Sequence, residues 1–199
     1  MRRRAALAVL CAVAAVAAGC GTSPPARFYA LSSTAVAPAP AVPPATLLIA
    51  VGPVTIPAVV DRPEIVVNVG QNELRIDEFN RWAAPLQDGV ARAIAENLVV
   101  MLGTPRVILF PQQLATDPEY RVAVEIRTFE TVPGTGIRLD AVWTLRRAKD
   151  GRTETGRTSA RETVADASFD ALAAAHSRAV ARLSQDIAAA VTALQRAPG

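Results

Sequence analysis

The chain has little of the material from which most catalytic sites are built. Its 199 residues include two cysteines and one histidine. Both cysteines, Cys11 and Cys20, lie close to the amino terminus, so no cysteine framework can staple a later domain. Zinc-type ligand spacing is missing, and so is a glycine loop that could cradle phosphate. Carboxylates are scattered along the chain, as expected for solvated faces. The single histidine, His176, could be a general base or a ligand only with an orienting partner or companion ligands. It falls on the apolar stripe of a helical pattern, which suits a residue at the border of a core or an interface. Ser168 and Asp170 are neighbours, but a helix cap accounts for Ser168 without chemistry. No enzyme, metal site or cofactor is expected.

Long apolar runs are also missing. The run over residues 5–18 holds about 14 residues, short of the roughly 20 needed to cross a bilayer as a helix. It follows Arg2, Arg3 and Arg4 and ends in small residues, the pattern of a secretory signal. Ala17, Ala18 and Gly19 followed by Cys20 resemble the lipobox of bacterial lipoproteins, although Ala17 stands where that family prefers leucine. The resemblance implies that residues 1–19 are removed. Cys20 then carries a diacylglycerol and an amino-terminal acyl chain, a covalent anchor and not a cofactor. Two or more acyl chains hold a protein stably at a membrane, each buried methylene contributing about 0.8 kcal/mol. Gly21 follows the cysteine, where the enteric inner-membrane retention signal has Asp, so sorting to the outer membrane is expected.

Removal of the signal also removes the excess of positive charge. The full chain has 21 basic and 18 acidic residues. Without Arg2, Arg3 and Arg4 the count is 18 against 18. A neutral chain with no basic patch excludes nucleic acid as an expected partner. About 180 residues remain, enough for one domain with a real core.

The organisation reads as a short tether over residues 20–27, then a domain over residues 28–196. "FYAL" just after the tether has strand composition. Residues 35–45, "AVAPAPAVPPA", run as extended chain of about 3 Å per residue, either as a loop within the domain or as part of a membrane spacer; the strand before them favours the loop. Residues 47–56 form a strand, bent near Gly52-Pro53. Residues 64–69 and 73–76 flank a hairpin turn at residues 70–72. Leu86, Val90, Ile94, Leu98 and Met101 recur at helical steps, with Pro85 at the start and Gly103 and Pro105 at the stop. A buried-type strand follows over residues 106–110. Two alternating strands, from Tyr120 and from Ile137, then meet at "VPGTG". "RTETGRTSARETV" is polar on both faces, as expected for an edge strand. From Phe169 to Leu194 a long amphipathic helix follows. These elements predict a single α+β domain: a mixed or antiparallel sheet of about six or seven strands, with two helices packed on one face.

Within residues 51–63, Pro53, Pro57 and Pro63 interrupt strand pairing while Val54, Ile56, Val59 and Val60 stay apolar. Such backbone suits contact with a partner or a neighbouring protomer, or it is an irregular strand end covered by its own domain. "GPVTIPAVVDRP" joined to "NRWAAPL", with the lipobox and "RFYAL", resembles the ABC-type transport auxiliary lipoproteins, the PqiC-like family. The resemblance spans nearly the whole mature chain. It implies an outer-membrane lipoprotein facing the periplasm that works with an MCE-domain protein and an inner-membrane transporter component, often as a homo-oligomer. Such systems move phospholipids or other lipids between membranes and support envelope integrity. The family has no catalytic residues to carry over, and Cys20 is the one position transferred. A second class of function is an envelope or cell-wall assembly lipoprotein that binds a protein partner without lipid transport.

Overall fold

The computed structural model describes residues 24–37, 47–111 and 117–197. The signal segment, Cys20 and most of the proline-rich stretch at 35–45 lie outside the described residues. Eight strands and two helices follow in the order β1 (Arg27–Tyr29), β2 (Ile49–Thr55), β3 (Glu64–Asn68), β4 (Leu74–Trp82), α1 (Leu86–Leu102), β5 (Val107–Leu109), β6 (Tyr120–Val132), β7 (Gly136–Arg147), β8 (Thr153–Thr163) and α2 (Phe169–Arg196).

The α+β class expected from the sequence is the class observed, but the strands divide between two sheets. One has the order β5-β2-β6-β7-β8 and the other β1-β4-β3. Prolines end the ladder of β2. Pro57 and Pro63 flank the segment after β2, and a chain without those N–H donors cannot continue a ladder. β2 is parallel to both β5 and β6, with a register shift between Val51 and Val54 where the Gly52–Pro53 peptide is cis. Gly52 has φ +125, and a Cβ there would stand 3.1 Å from that of Phe110.

β6, β7 and β8 form an antiparallel meander, and β8 is at the edge as its two-faced polarity predicts. Alternation along β6 and β7 turns Val122, Val124, Leu139, Ala141 and Leu145 into the core. Both helices cover that face. α1 contributes Leu86, Val90, Ile94 and Leu98, and α2 contributes Leu172, Val180, Leu183, Ile187 and Val191. α1 ends at Gly103 in the left-handed conformation, φ 62, the usual helix stop. α2 starts at Ser168, whose hydroxyl accepts the Ala171 N–H at 3.1 Å.

β4 runs six residues beyond the strand read from sequence, which stopped at Ile76. The Asp77 carboxylate accepts the backbone N–H groups of Phe79 and Asn80 at 3.1 and 2.9 Å. This local bonding carries the chain through a register shift against β3. Residues 80–82 then pair in parallel with β1. "FYAL" is thus tied into a sheet. The segment after it is held by Asn97 of α1, which accepts from Ser33 Oγ at 2.8 Å and from the N–H groups of Thr34 and Ala35 at 3.2 Å.

Candidate functional site

A cleft of about 170 Å³ opens where the two sheets meet. Its near wall is the turn after β2. There the Pro57 carbonyl accepts the N–H groups of Val60 and Asp61 at 3.0 and 3.2 Å, which turns Val59 and Val60 toward the cleft. Its far wall is the β3–β4 hairpin. Val66 pairs with Ile76 and Asn68 with Leu74, so these four side chains share one face of the hairpin. The floor is β6 just past the register shift between Ile126 and Thr128, where Phe129 and Thr131 are buried.

The sequence-singled residues separate here by burial. Val54 is 4% exposed and belongs to the core, while Ile56 and Val60 are half-buried against that core. Val59 is 51% exposed, and with Val60 it lines the cleft. Leu74, 47% exposed, lines the same cleft from the opposite wall. Sequence reasoning passed over Leu74 and Val66. The available signal was the alternation of Leu74 and Ile76 around Arg75 at the start of β4, opposite the apolar Val66 of β3.

The charges at the mouth are already matched. Arg127 bonds Glu125 at 3.2 Å, and Arg138 bonds Glu130 at 3.2 Å. The cleft therefore offers apolar contact and no unpaired ion. Its volume is below the roughly 300–1,000 Å³ of small-molecule pockets. An arrangement of this size can seat one large apolar side chain from a protein surface, the usual form of an interface anchor.

His176 lies behind the cleft floor and does not reach it. Its Nε2 is 2.8 Å from Thr131 Oγ1, and its ring meets Trp82 and Phe129 edge-on at 5.4 and 4.4 Å. Burial pushes the imidazole down to about 3, so it is neutral at physiological pH. The ring is 2% exposed and its Nδ1 has no partner. Nothing orients it as a base toward solvent. Among the described residues no cluster of three or more His, Cys, Asp or Glu could hold a metal ion. No described helix is long and apolar enough to cross a membrane. Cys20 lies outside the described residues.

Solved structures share this fold. Protein XCC0632 from Xanthomonas campestris, a DUF330 protein, superposes with a TM-score of 0.68 at 20% identity, covering 85% of this chain and 98% of that one. An uncharacterized protein matches at 0.67 and 19%, covering 84% and 99%. A PelC dodecamer from Paraburkholderia phytofirmans gives only 0.32 at 12%, covering 72% and 94%, too distant to carry an argument. No curated protein matches the chain. The family model for the ABC-type transport auxiliary lipoprotein component matches residues 29–188, from β1 almost to the end of α2, and the chain belongs to that family.

Proposed function

We propose that this protein is the outer-membrane lipoprotein subunit of an MCE and ABC-type system that moves phospholipid between the membranes, and that it supports the envelope by holding the distal end of that assembly. Family membership over residues 29–188 carries the reading. The cleft supplies its physical form: Val59 and Leu74 present exposed apolar surface on two walls, where an MCE-domain partner can place an apolar anchor. The role is positional. It needs an acylated Cys20 on the periplasmic face, a partner seated at the cleft and association of several copies around the substrate path.

Co-purification from detergent tests the reading. The acylated protein should retain an MCE-domain protein and an inner-membrane transporter component. Deletion should make cells sensitive to detergent. If no MCE protein is retained, and the envelope stays intact when related systems are also removed, the transport reading fails. A partner-binding assembly lipoprotein would take its place.

A further inference from the structure

At the opposite end of β4 from the cleft, the aromatic residues gather where the tether enters the domain. Five Phe, two Trp and two Tyr are the chain's aromatic complement. Phe28, Tyr29, Phe79 and Phe169 all lie at this end. Pro24, Pro25, Tyr29, Phe79 and Phe169, with polar residues that include Arg27 and Asp170 between them, line one shallow depression of about 350 Å³ beside the start of α2. Phe28, between Arg27 and Tyr29 on β1, lies on the other face of that strand and is 63% exposed, and Phe79 is 39% exposed. Tyr29 supports the group from below. Its hydroxyl donates to Asn80 Oδ1 at 2.9 Å, and its ring lies 6.2 Å from that of Phe169.

We propose that this aromatic end, led by Phe28 and Phe79, seats the domain on the phospholipid bilayer that holds the anchor. The proposal rests on the reading of Cys20 as the acylated residue. Arg27 stands seven positions after Cys20, a reach of about 25 Å at full extension. Pro24 and Pro25 stiffen part of that reach by fixing φ. β1 therefore stays within about 25 Å of the membrane surface, close enough for Phe28 to reach lipid. Exposed Phe rings add apolar area that can enter the headgroup–acyl boundary. A second membrane contact also turns a flexible acyl leash into a fixed orientation.

The contact is apolar in kind. Arg27 and Asp170 both line the depression, and Glu78 and Asp166 are close in the chain to Phe79 and Phe169, so the surface there carries no excess of positive charge to draw the domain to anionic lipid. Asn80 lies six positions along β4 from Leu74, at most about 20 Å of extended strand. Seating one end on the bilayer therefore points the cleft away from it, toward a partner arriving from the periplasm.

The test uses full-length acylated protein in phosphatidylcholine vesicles with bromine on the acyl chains. Trp82 and Trp143 are 7% and 6% exposed, so they give little lipid-accessible background. Phe28→Trp and, separately, Phe79→Trp should show blue-shifted emission that the brominated lipid quenches, with no change when salt is raised. Val36→Trp is the control. Val36 shares a surface with Gln185 and Ala188, and Ala188 is about 30 Å along the helix from Ser168. The control should not be quenched. Acyl mass on Cys20 with both aromatic variants quenched no more than the control overturns the seating and leaves the anchor standing. Emission shifts that follow protein concentration instead of lipid assign the patch to a second copy and overturn it as well. A mature protein lacking acyl mass on residue 20 removes the anchor reading, and this inference with it.

Discussion

The hydroxyl of Thr131 sits 2.8 Å from Nε2 of His176, closing the imidazole behind the cleft floor. The fold thereby uses its one histidine as neutral core. Burial holds the folded value near 3, against about 6.5 in an unfolded chain. The unfolded state takes up the proton first, so the stability lent by the neutral ring is full above about pH 6.5 and declines as pH falls toward 3. Within that window the slope approaches about 1.4 kcal/mol per pH unit. His176→Gln keeps a polar atom near Thr131 and removes the titration. Urea unfolding at pH 7 and pH 4.5 should show the variant losing less stability than the parent over that interval. Parallel losses would contradict the assignment. The variant should also keep envelope function wherever it accumulates.

Asn97 is a second buried polar residue with a structural task. Its Nδ2 donates to Ser184 Oγ on α2 at 3.2 Å, and its Oδ1 takes the three donors of residues 33–35. It is fully buried. Asn97→Ala leaves the Thr34 N–H and the Ser33 hydroxyl without this acceptor, while Ala35 N–H keeps Ser33 Oγ at 3.4 Å and the Ser184 hydroxyl keeps the Val180 carbonyl at 2.9 Å, an expected loss of about 2–4 kcal/mol. Denaturant unfolding measures the loss. Hydrogen exchange at Thr34 and Ala35 should rise in the variant even under conditions where the sheets stay protected.

Much of this was legible from periodicity. The stripes of α1 and α2, the Ser168 cap, the hairpin turns and the edge position of β8 all follow from local spacing, because one buried face imposes its period on the chain. The division into two sheets was not legible. It depends on where the chain goes after Pro63, and spacing within a strand does not encode the strand's neighbour. The extension of β4 was hidden because "DEFNRW" lacks alternation; its order comes from the Asp77 carboxylate and from β1, about 50 residues earlier in the chain. The cleft was half legible. Prolines and apolar residues marked its near wall, whereas Leu74 and Val66 reach it only through the hairpin register.

Burial within the 54–60 segment gives a graded experiment. Val54→Asp places an unpaired charge in the core and should cost about 3–5 kcal/mol or prevent accumulation. Val59→Asp and Leu74→Asp alter side chains already about half in water, so stability should change by no more than about 0.5 kcal/mol. Both should nevertheless weaken retention of the MCE partner in detergent pull-downs, since either places a charge in the same apolar cleft. Ile56→Asp should fall between, losing both some stability and some association. Full retention by Val59→Asp and Leu74→Asp together would move the interface elsewhere on the molecule.

The proposed anchor at Cys20 would set where all of this takes place. Ala17, Ala18, Gly19 and Cys20 form the lipobox-like junction, and Cys20 would be the only cysteine of the mature chain. Cys20→Ala removes the thiol that, on this reading, would receive the diacylglycerol. The product should accumulate as unprocessed precursor or as a soluble periplasmic form, with the folded domain unchanged because β1 begins seven residues later. Mass spectrometry of the parent should find acyl mass on residue 20 and no residues before it. Gly21→Asp places the enteric retention residue after the cysteine and should shift the acylated protein from outer-membrane to inner-membrane fractions. That variant separates the two ideas, because acylation and folding persist while the address changes. Loss of envelope function with normal acylation would show that the protein must act at the outer membrane. A mature amino terminus at any other residue would overturn the anchor itself.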